Sequence, residues 1–261
     1  MSNTALITGA SGGIGRDLAR VHAQHGGDLV IVARRKEALE TLKAELEQKH
    51  GVKVLCLAVD LSEPGAVGRI YDAVKAQGLE IDVLINNAGF GGHGKFHERP
   101  WQQDAAMIQL NVTALCEMTH VFVQDMVARQ RGKILNVAST AGFLPGPLQA
   151  VYYATKAFVL SFSQAIAQEL EEENITVTAL CPGAVATGFS GRAGLDDVAA
   201  FRNAATSESV ARVAYDAMQK GKLVAINERT LSFLLNWVVP LLPRRTVLRM
   251  SRQTMEKSQP R

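Results

Sequence analysis

Tyr152 and Lys156 stand four residues apart at the head of a strongly helical run, Tyr152-Tyr153-Ala154-Thr155-Lys156. At i and i+4 they share one helix face, a turn apart. A free phenol has a pKa of about 10, which makes it a poor acid or base at neutral pH. A fixed positive charge one turn away favours the phenolate and lowers that pKa. Tyr152 would then be a usable proton donor and acceptor near pH 7. An isolated pair of this kind is most often a half-buried aromatic beside a solvated charge. The chemical reading therefore requires a ligand site and a third polar group elsewhere in the chain.

The elements that would position them alternate. Thr4–Thr8 is a short apolar strand, followed by a glycine-rich turn and a helix from about Gly13 with Ile14, Leu18 and Val21 on one face. Further strands are expected at 28–33, 53–59, 82–85, 133–137 and 175–180, with a seventh at 222–226. Charged or amphipathic helices separate them, the one at 34–49 turning Leu39, Leu42 and Leu46 inward. Continuous apolar strands alternating with helices predict a parallel sheet covered on both faces. The expected fold class is α/β, a doubly wound sheet of about seven strands in three αβα layers. No linker or repeat divides the chain, so residues 1–261 are read as one domain.

In such a sheet a ligand binds beyond the carboxyl ends of the strands. Gly9, Ser11, Gly12, Gly13, Ile14 and Gly15 lie there, with the spacing Gly-x-x-x-Gly-x-Gly. Gly9 permits the tight turn, Gly13 a close approach of phosphate, and Gly15 close packing of helix on strand. The helix N-terminus offers free N–H groups and a positive dipole end to a diphosphate. The second strand ends in Arg34-Arg35, where an NAD site usually carries an acid. Two guanidiniums there suit a 2′-phosphate, favouring NADP(H) over NAD(H). Asp60, followed by Leu61, ends the third strand, where it would meet the adenine ring. Asn86-Asn87-Ala88-Gly89 closes the fourth strand and Ser139 ends the fifth. Asn111 interrupts the inward stripe Met107, Ile108, Leu115, Met118, Phe122 of a long helix at 100–129. It is read either as a helix-bending amide or as the holder of a water in a proton path.

In this order, Thr8-Gly9-x-x-x-Gly13-x-Gly15, Asp60, Asn86-Asn87-Ala88-Gly89, Asn111, Ser139, Tyr152-x-x-x-Lys156 and Pro182-Gly183-x-x-x-Thr187 resemble the short-chain dehydrogenase/reductase family, in its single-domain branch. The motifs cover about residues 4–190. The resemblance implies a Rossmann fold and NAD(P)-dependent interconversion of carbonyl and alcohol. It implies Tyr152 as acid/base, Ser139 as hydrogen bond to the substrate oxygen, and Lys156 holding the nicotinamide ribose and tuning Tyr152. It further implies Asn111 positioning a relay water, with Pro182, Gly183, Val185 and Thr187 bordering the nicotinamide. Rival readings are a non-catalytic NADP(H)-binding sensor and an epimerase or dehydratase of the extended branch.

Around this centre the expectations are coarser. Residues 188–209 read as a mobile substrate lid, and Phe143, Leu144, Pro145 and Phe189 as an apolar pocket wall. The C-terminal tail is similar to that of family members such as long-chain ketoacyl and hydroxysteroid reductases, and this resemblance implies a bulky apolar small-molecule substrate, a ketoacyl, steroid-like or other hydrophobic ketone. His93 and His97 read as surface residues, and no metal site is assigned. A C-terminal extension at 229–261 carries nine apolar side chains between Leu231 and Leu242, then Arg244, Arg245, Arg249, Arg252, Lys257 and Arg261 against Glu256. Twelve residues are too few to span a bilayer. The segment could cap the pocket, be buried in an oligomer contact or lie on an anionic membrane surface; burial within the protein or an oligomer is the first reading and membrane contact the second.

Composition fits that picture. A net charge of +3 gives no argument for nucleic acid. Cys56, Cys116 and Cys181 sit singly among apolar residues and read as reduced core thiols of a reducing compartment, hence a cytoplasmic protein. The start carries no secretory signal, and no unbroken run approaches the 18 or more apolar residues of a bilayer span. Phe158, Phe162 and Ile166, beside Ala157, Ser161 and Ala165, leave the 152–173 helix with surplus apolar surface. A homodimer or homotetramer is expected.

Overall fold

A computed structural model describes residues 3–195, 198 and 204–256. Lys257 and Arg261 of the basic tail, and parts of the expected lid, lie outside the described residues. Seven parallel strands form one sheet: β1 (Thr4–Thr8), β2 (Asp28–Ala33), β3 (Val54–Ala58), β4 (Val83–Asn86), β5 (Gly132–Val137), β6 (Ile175–Leu180) and, after the two-stranded pair below, β9 (Val224–Ala225). Their spatial order is β3-β2-β1-β4-β5-β6-β9. The chain winds outward from β1 in one direction and from β4 in the other, which places the switch point between them.

The apolar periodicities explain the layers. On one face lie α1 (Gly13–Gln24), α2 (Lys36–His50) and α8 (Ser207–Gln219). Their Leu18, Leu39, Leu46 and Val210 pack with Ile7 and Ile31 of the sheet. On the other face lie α3 (Ala66–Ala76), α4 (Trp101–Ile108), α5 (Leu115–Ala128) and α6 (Ala150–Glu169). Phe122, Met118 and Ile70 from this side fill the space against Leu6, Val30 and Leu84. α4 and α5 are joined by a π-helical turn at Gln109–Ala114, so 101–128 runs as one bent helix. By length and composition this helix could cross a membrane, a candidate that counting unbroken apolar runs had missed. Here Met107, Asn111, Met118, Phe122 and Met126 are buried within the protein. Ile108, expected inward, is instead 37% exposed: it follows buried Met107 and so lies about 100° round the helix from it.

A second, small sheet pairs β7 (Val185–Ala186) with β8 (Ala205–Thr206), an element the sequence did not reveal. Between them α7 (Gly188–Ala193) replaces the expected loop. Ala193, Leu195 and Val198 are buried with Met255, so this part of the segment is anchored by apolar packing. The tail folds as α9 (Arg229–Phe233), a π turn, a short 3-10 turn and α10 (Arg244–Met255). His93, expected at the surface, is half-buried and its Nε2 lies 2.8 Å from the Met255 carbonyl, fastening α10 to the loop after β4. His97 is exposed. The three cysteines are free, Cys181 buried and the other two half-buried.

Candidate active site

The β1–α1 turn is built by glycine geometry. Gly9 and Gly13 adopt φ of +69° and +55°, where a side chain is strained. A Cβ on Gly15 would lie 2.6 Å from the Gly9 carbonyl oxygen and 2.3 Å from Asn87 Nδ2. Asn87 in turn donates to the Thr8 and Gly9 carbonyls at 2.9 and 3.3 Å. The Thr8 hydroxyl accepts from the backbone N–H groups of Asn87 and Ala88. The turn is thus locked to the end of β4. Across it stands Thr187, whose Cγ2 would be 3.0 Å from a Cβ at Gly13.

This turn fits a dinucleotide phosphate. α1 begins at Gly13 with no side-chain cap and no acid in its first turn, so its leading N–H groups and positive dipole end remain free for an anion. Arg35 Nη2 donates to the Ser11 carbonyl at 2.7 Å and lies over Gly12. Arg34 Nη1 sits 3.5 Å from Asp60 Oδ2. Burial raises the Asp60 carboxyl, but two hydrogen bonds from Ser62 together with Arg34 hold it below its ordinary value. An ionised acid and two cations therefore border the end of β2.

One cavity of about 1290 Å³ runs from this turn past Ser139 and Tyr152. It exceeds the roughly 300–1,000 Å³ of a pocket for one small molecule. Every expected cofactor residue lines it except Gly15, which serves packing beneath the turn. The lining thus includes Leu61, Asn87, Ala88, Gly89, Lys156, Pro182, Gly183, Val185 and Thr187. Of the expected apolar wall, Leu144 and Phe189 line the cavity, whereas Phe143 packs away from it in a core cluster with Leu160 and Ala179. Pro145 does not line it.

Residues from several elements converge at the cavity's inner end. Ser139, at the end of β5, accepts from Ala141 N–H at 3.1 Å, and its hydroxyl lies near enough to the Tyr152 hydroxyl to act on its pKa. Tyr152, on the first turn of α6, packs its ring 5.5 Å from that of Phe189. Lys156 is 6% exposed; its Nζ donates to the Val137 carbonyl at 2.7 Å and lies 5.9 Å from the Tyr152 ring centre. Burial pushes the phenol above its ordinary pKa, the Ser139 hydroxyl offsetting part of the rise. Burial also lowers Lys156 to about 8. The expectation of a Tyr152 pKa brought below its ordinary value is thus corrected. Desolvation works against the charged forms of both groups, and an ammonium 5.9 Å from the ring centre does not offset it.

Asn111 does not line the cavity. Its Oδ1 accepts from Phe90 N–H at 3.1 Å, and its Nδ2 donates to the Phe90 carbonyl and to Thr155 Oγ1 at 2.9 and 3.1 Å. Thr155 donates to the Tyr152 carbonyl. Asn111 therefore sits in the π turn and ties the loop after β4 to the helix that carries Tyr152. Both ends of its amide are thus engaged within the protein. Asn86 is likewise engaged inside, donating to Thr119 and Asn136. The Thr187 hydroxyl caps α7, accepting from Phe189 N–H.

The tail forms a wall of the cavity, one of the placements expected of it from sequence. Leu231, Leu235, Val239, Leu242, Val247 and Met255 of the tail line the cavity, as do Phe90 and Tyr153. The apolar density of 231–242 was the available signal; its direction was not.

A model of the short chain dehydrogenase family matches residues 3–197. The chain is a member of that family. Very-long-chain 3-oxoacyl-CoA reductase of Homo sapiens is 36% identical over 189 residues, covering 70% of this chain and 59% of the relative. This short-chain dehydrogenase thus spans under two thirds of that relative's length. Among solved structures, a short-chain dehydrogenase from Sphingobium yanoikuyae in complex with NADPH is 34% identical, with a TM-score of 0.84 over 91% of this chain and 92% of that one. A 7beta-hydroxysteroid dehydrogenase is 28% identical, with a TM-score of 0.85 over 95% and 96%. Among the described residues, no group of three or more His, Cys, Asp or Glu is arranged to hold a metal ion.

Proposed function

We propose that this short-chain dehydrogenase is an NADP(H)-dependent reductase interconverting an apolar ketone and its secondary alcohol. The observation that carries the proposal is one continuous cavity. It joins the phosphate-accepting turn and Arg34–Arg35 to Ser139 and Tyr152. The NADPH complex of a 34% identical structure supports the cofactor, and the 3-oxoacyl-CoA reductases support a ketoacyl substrate.

The turn from Gly9 to Gly15 would hold the diphosphate, Arg34 and Arg35 the 2′-phosphate, and Asp60 with Leu61 the adenine. Pro182, Gly183, Val185 and Thr187 would border the nicotinamide. When bound, NADPH supplies the hydride. Ser139 Oγ and the Tyr152 hydroxyl hold the carbonyl oxygen between them. Tyr152 gives its proton to that oxygen as negative charge develops on it. The raised pKa keeps Tyr152 protonated and ready to donate, and burial strengthens each hydrogen bond at the reacting atom. Lys156, charged below about pH 8, favours the phenolate left after transfer. Asn111 fixes the loop and helix that place these groups, rather than touching the substrate.

In this reading the chain forms one domain, α7 covers the substrate with Phe189 against Tyr152, and the tail completes an apolar acyl or sterol channel. The protein acts as a cytoplasmic homodimer or homotetramer, with a membrane contact argued below. The test is NADPH consumption over a carbonyl panel: 3-oxoacyl thioesters of increasing length, a steroid ketone and a small polar ketone. Turnover rising with apolar length supports the proposal. NADPH binding without turnover of any ketone would leave a sensor instead.

A further inference from the structure

We propose that the outer face of the C-terminal extension is a docking surface for an anionic lipid bilayer, set at the rim of the cavity. The extension has two faces with different fates. Its inner face lines the cavity through Leu231, Leu235, Val239 and Val247. Its outer face leaves Phe233, Trp237 and Leu241 at 62%, 69% and 85% exposure. None of these three lines the cavity or joins an apolar core cluster, so neither protein packing nor the cavity accounts for them.

The neighbouring charge selects the partner. Arg229, Arg244, Arg245, Arg249 and Arg252 are exposed on the same segment, with Glu228 and Glu256 the only acids between 228 and 256. Glu256 is paired with Arg252 at 3.0 Å, leaving the segment that carries the exposed apolar side chains net basic. Bulky apolar groups beside interspersed arginines match the boundary of acyl chains and anionic headgroups, where tryptophan also concentrates. A neutral apolar protein surface would satisfy the rings and leave the arginines without partners.

The rim gives the surface its use. Leu234 and Met250 both line the cavity and remain 40% and 46% exposed. A bilayer seated on Phe233, Trp237 and Leu241 would meet the cavity where these two residues open it. An apolar ketone could then pass from the lipid without crossing water. The docking surface stands independently of the catalytic reading; delivery of substrate rests on it.

The experiment is co-sedimentation of the full chain with vesicles of phosphatidylcholine alone or mixed with phosphatidylglycerol. Binding is expected to the anionic vesicles and to weaken with salt. Phe233→Ser/Trp237→Ser/Leu241→Ser should abolish it. Arg244→Gln/Arg245→Gln/Arg249→Gln should weaken it on the order of 100-fold, from three surface arginines. The altered residues lie outside the cavity wall, so NADPH-linked reduction of a small soluble ketone should be unchanged, which also reports that the variants fold. Absence of wild-type pelleting, equal binding to neutral vesicles, or undiminished binding by both variants would each overturn the proposal. So would lipid-free self-association that the apolar variant removes, which would assign this face to a second copy. If docking holds and no ketone is turned over, only the catalytic reading fails.

Discussion

At the scale of single residues, Lys156 sets a conflict between stability and chemistry. Its ammonium is buried and donates to the Val137 carbonyl. Lowering it from 10.5 to about 8, at about 1.36 kcal/mol per unit, burdens the fold by about 3 kcal/mol. The folded pKa is the depressed one, so the unfolded chain binds more protons between about pH 8 and 10.4. This group's burden is therefore fully present at pH 7 and relieved as pH rises through that window. Lys156→Met removes the burden and loses one hydrogen bond worth about 1 kcal/mol. The expected result at pH 7 is a gain of about 2 kcal/mol, or a Tm roughly 4–8 °C higher by calorimetry, with turnover lost. An unchanged or lower Tm would mean the ammonium is not a burden. For the wild type, kcat/KM for reduction should fall above about pH 8 as Lys156 loses its proton. Tyr152→Phe removes only the proton donor. Turnover should vanish while NADPH binding stays within a few fold, since the phosphate contacts lie at the other end of the cavity. Residual steady-state turnover in Tyr152→Phe would remove the acid assignment.

At the scale of elements, the ends of β1, β2 and β4 act together. Thr8, Asn87 and the Gly9–Gly15 turn are mutually hydrogen-bonded, so the phosphate site is assembled before any ligand arrives. The arginines of β2 close it from the side, and Arg35 also ties down Ser11. Arg34→Ala/Arg35→Ala should weaken NADPH by roughly 10–100-fold, the range of one or two charge-assisted hydrogen bonds. NADH should lose only a few fold. Fluorescence titration with both cofactors makes the comparison; equal losses would reduce Arg35 to a brace for Ser11. The π turn at Gln109–Ala114 is a second such element. It widens the helix at Asn111, whose amide meets the Phe90 N–H, the Phe90 carbonyl and the Thr155 hydroxyl.

At the scale of the molecule, the tail turned inward at the cavity, and it does not cover the outer face of α6. Phe158 remains 43% exposed and stacks on Phe162 at 5.9 Å, and Ile108 and Trp101 are exposed on the neighbouring long helix. Ile166, by contrast, is partly buried against the core. An isologous contact between copies would cover the exposed set. Light scattering at micromolar concentration should give a multiple of 28.2 kDa, and Phe158→Glu should shift it toward the single-chain mass by burying a charge in the contact. A wild-type mass of one chain would show that this face is solvent-exposed in the native protein.

Period and punctuation determined most of the fold. Continuous apolar strands between amphipathic helices could be satisfied only by a sheet covered on both faces, and the glycine spacing after Thr8 marked its switch point. Local geometry likewise brought Tyr152 and Lys156 onto one helix face, because i and i+4 neighbours meet in any helix. Three matters depended on contacts far apart in the chain. The electrostatic balance at Tyr152 turned on how much protein surrounds both groups, and burial is a property of the packed molecule. The partners of Asn111 come from 21 and 44 residues away, which no spacing rule shows. The tail's direction was decided by α10, which His93 and the buried Met255 fasten beside the cavity. That packing gave one face of 231–242 to the cavity and left Phe233, Trp237 and Leu241 outside, because a helical segment with apolar residues all round cannot bury every side against one surface.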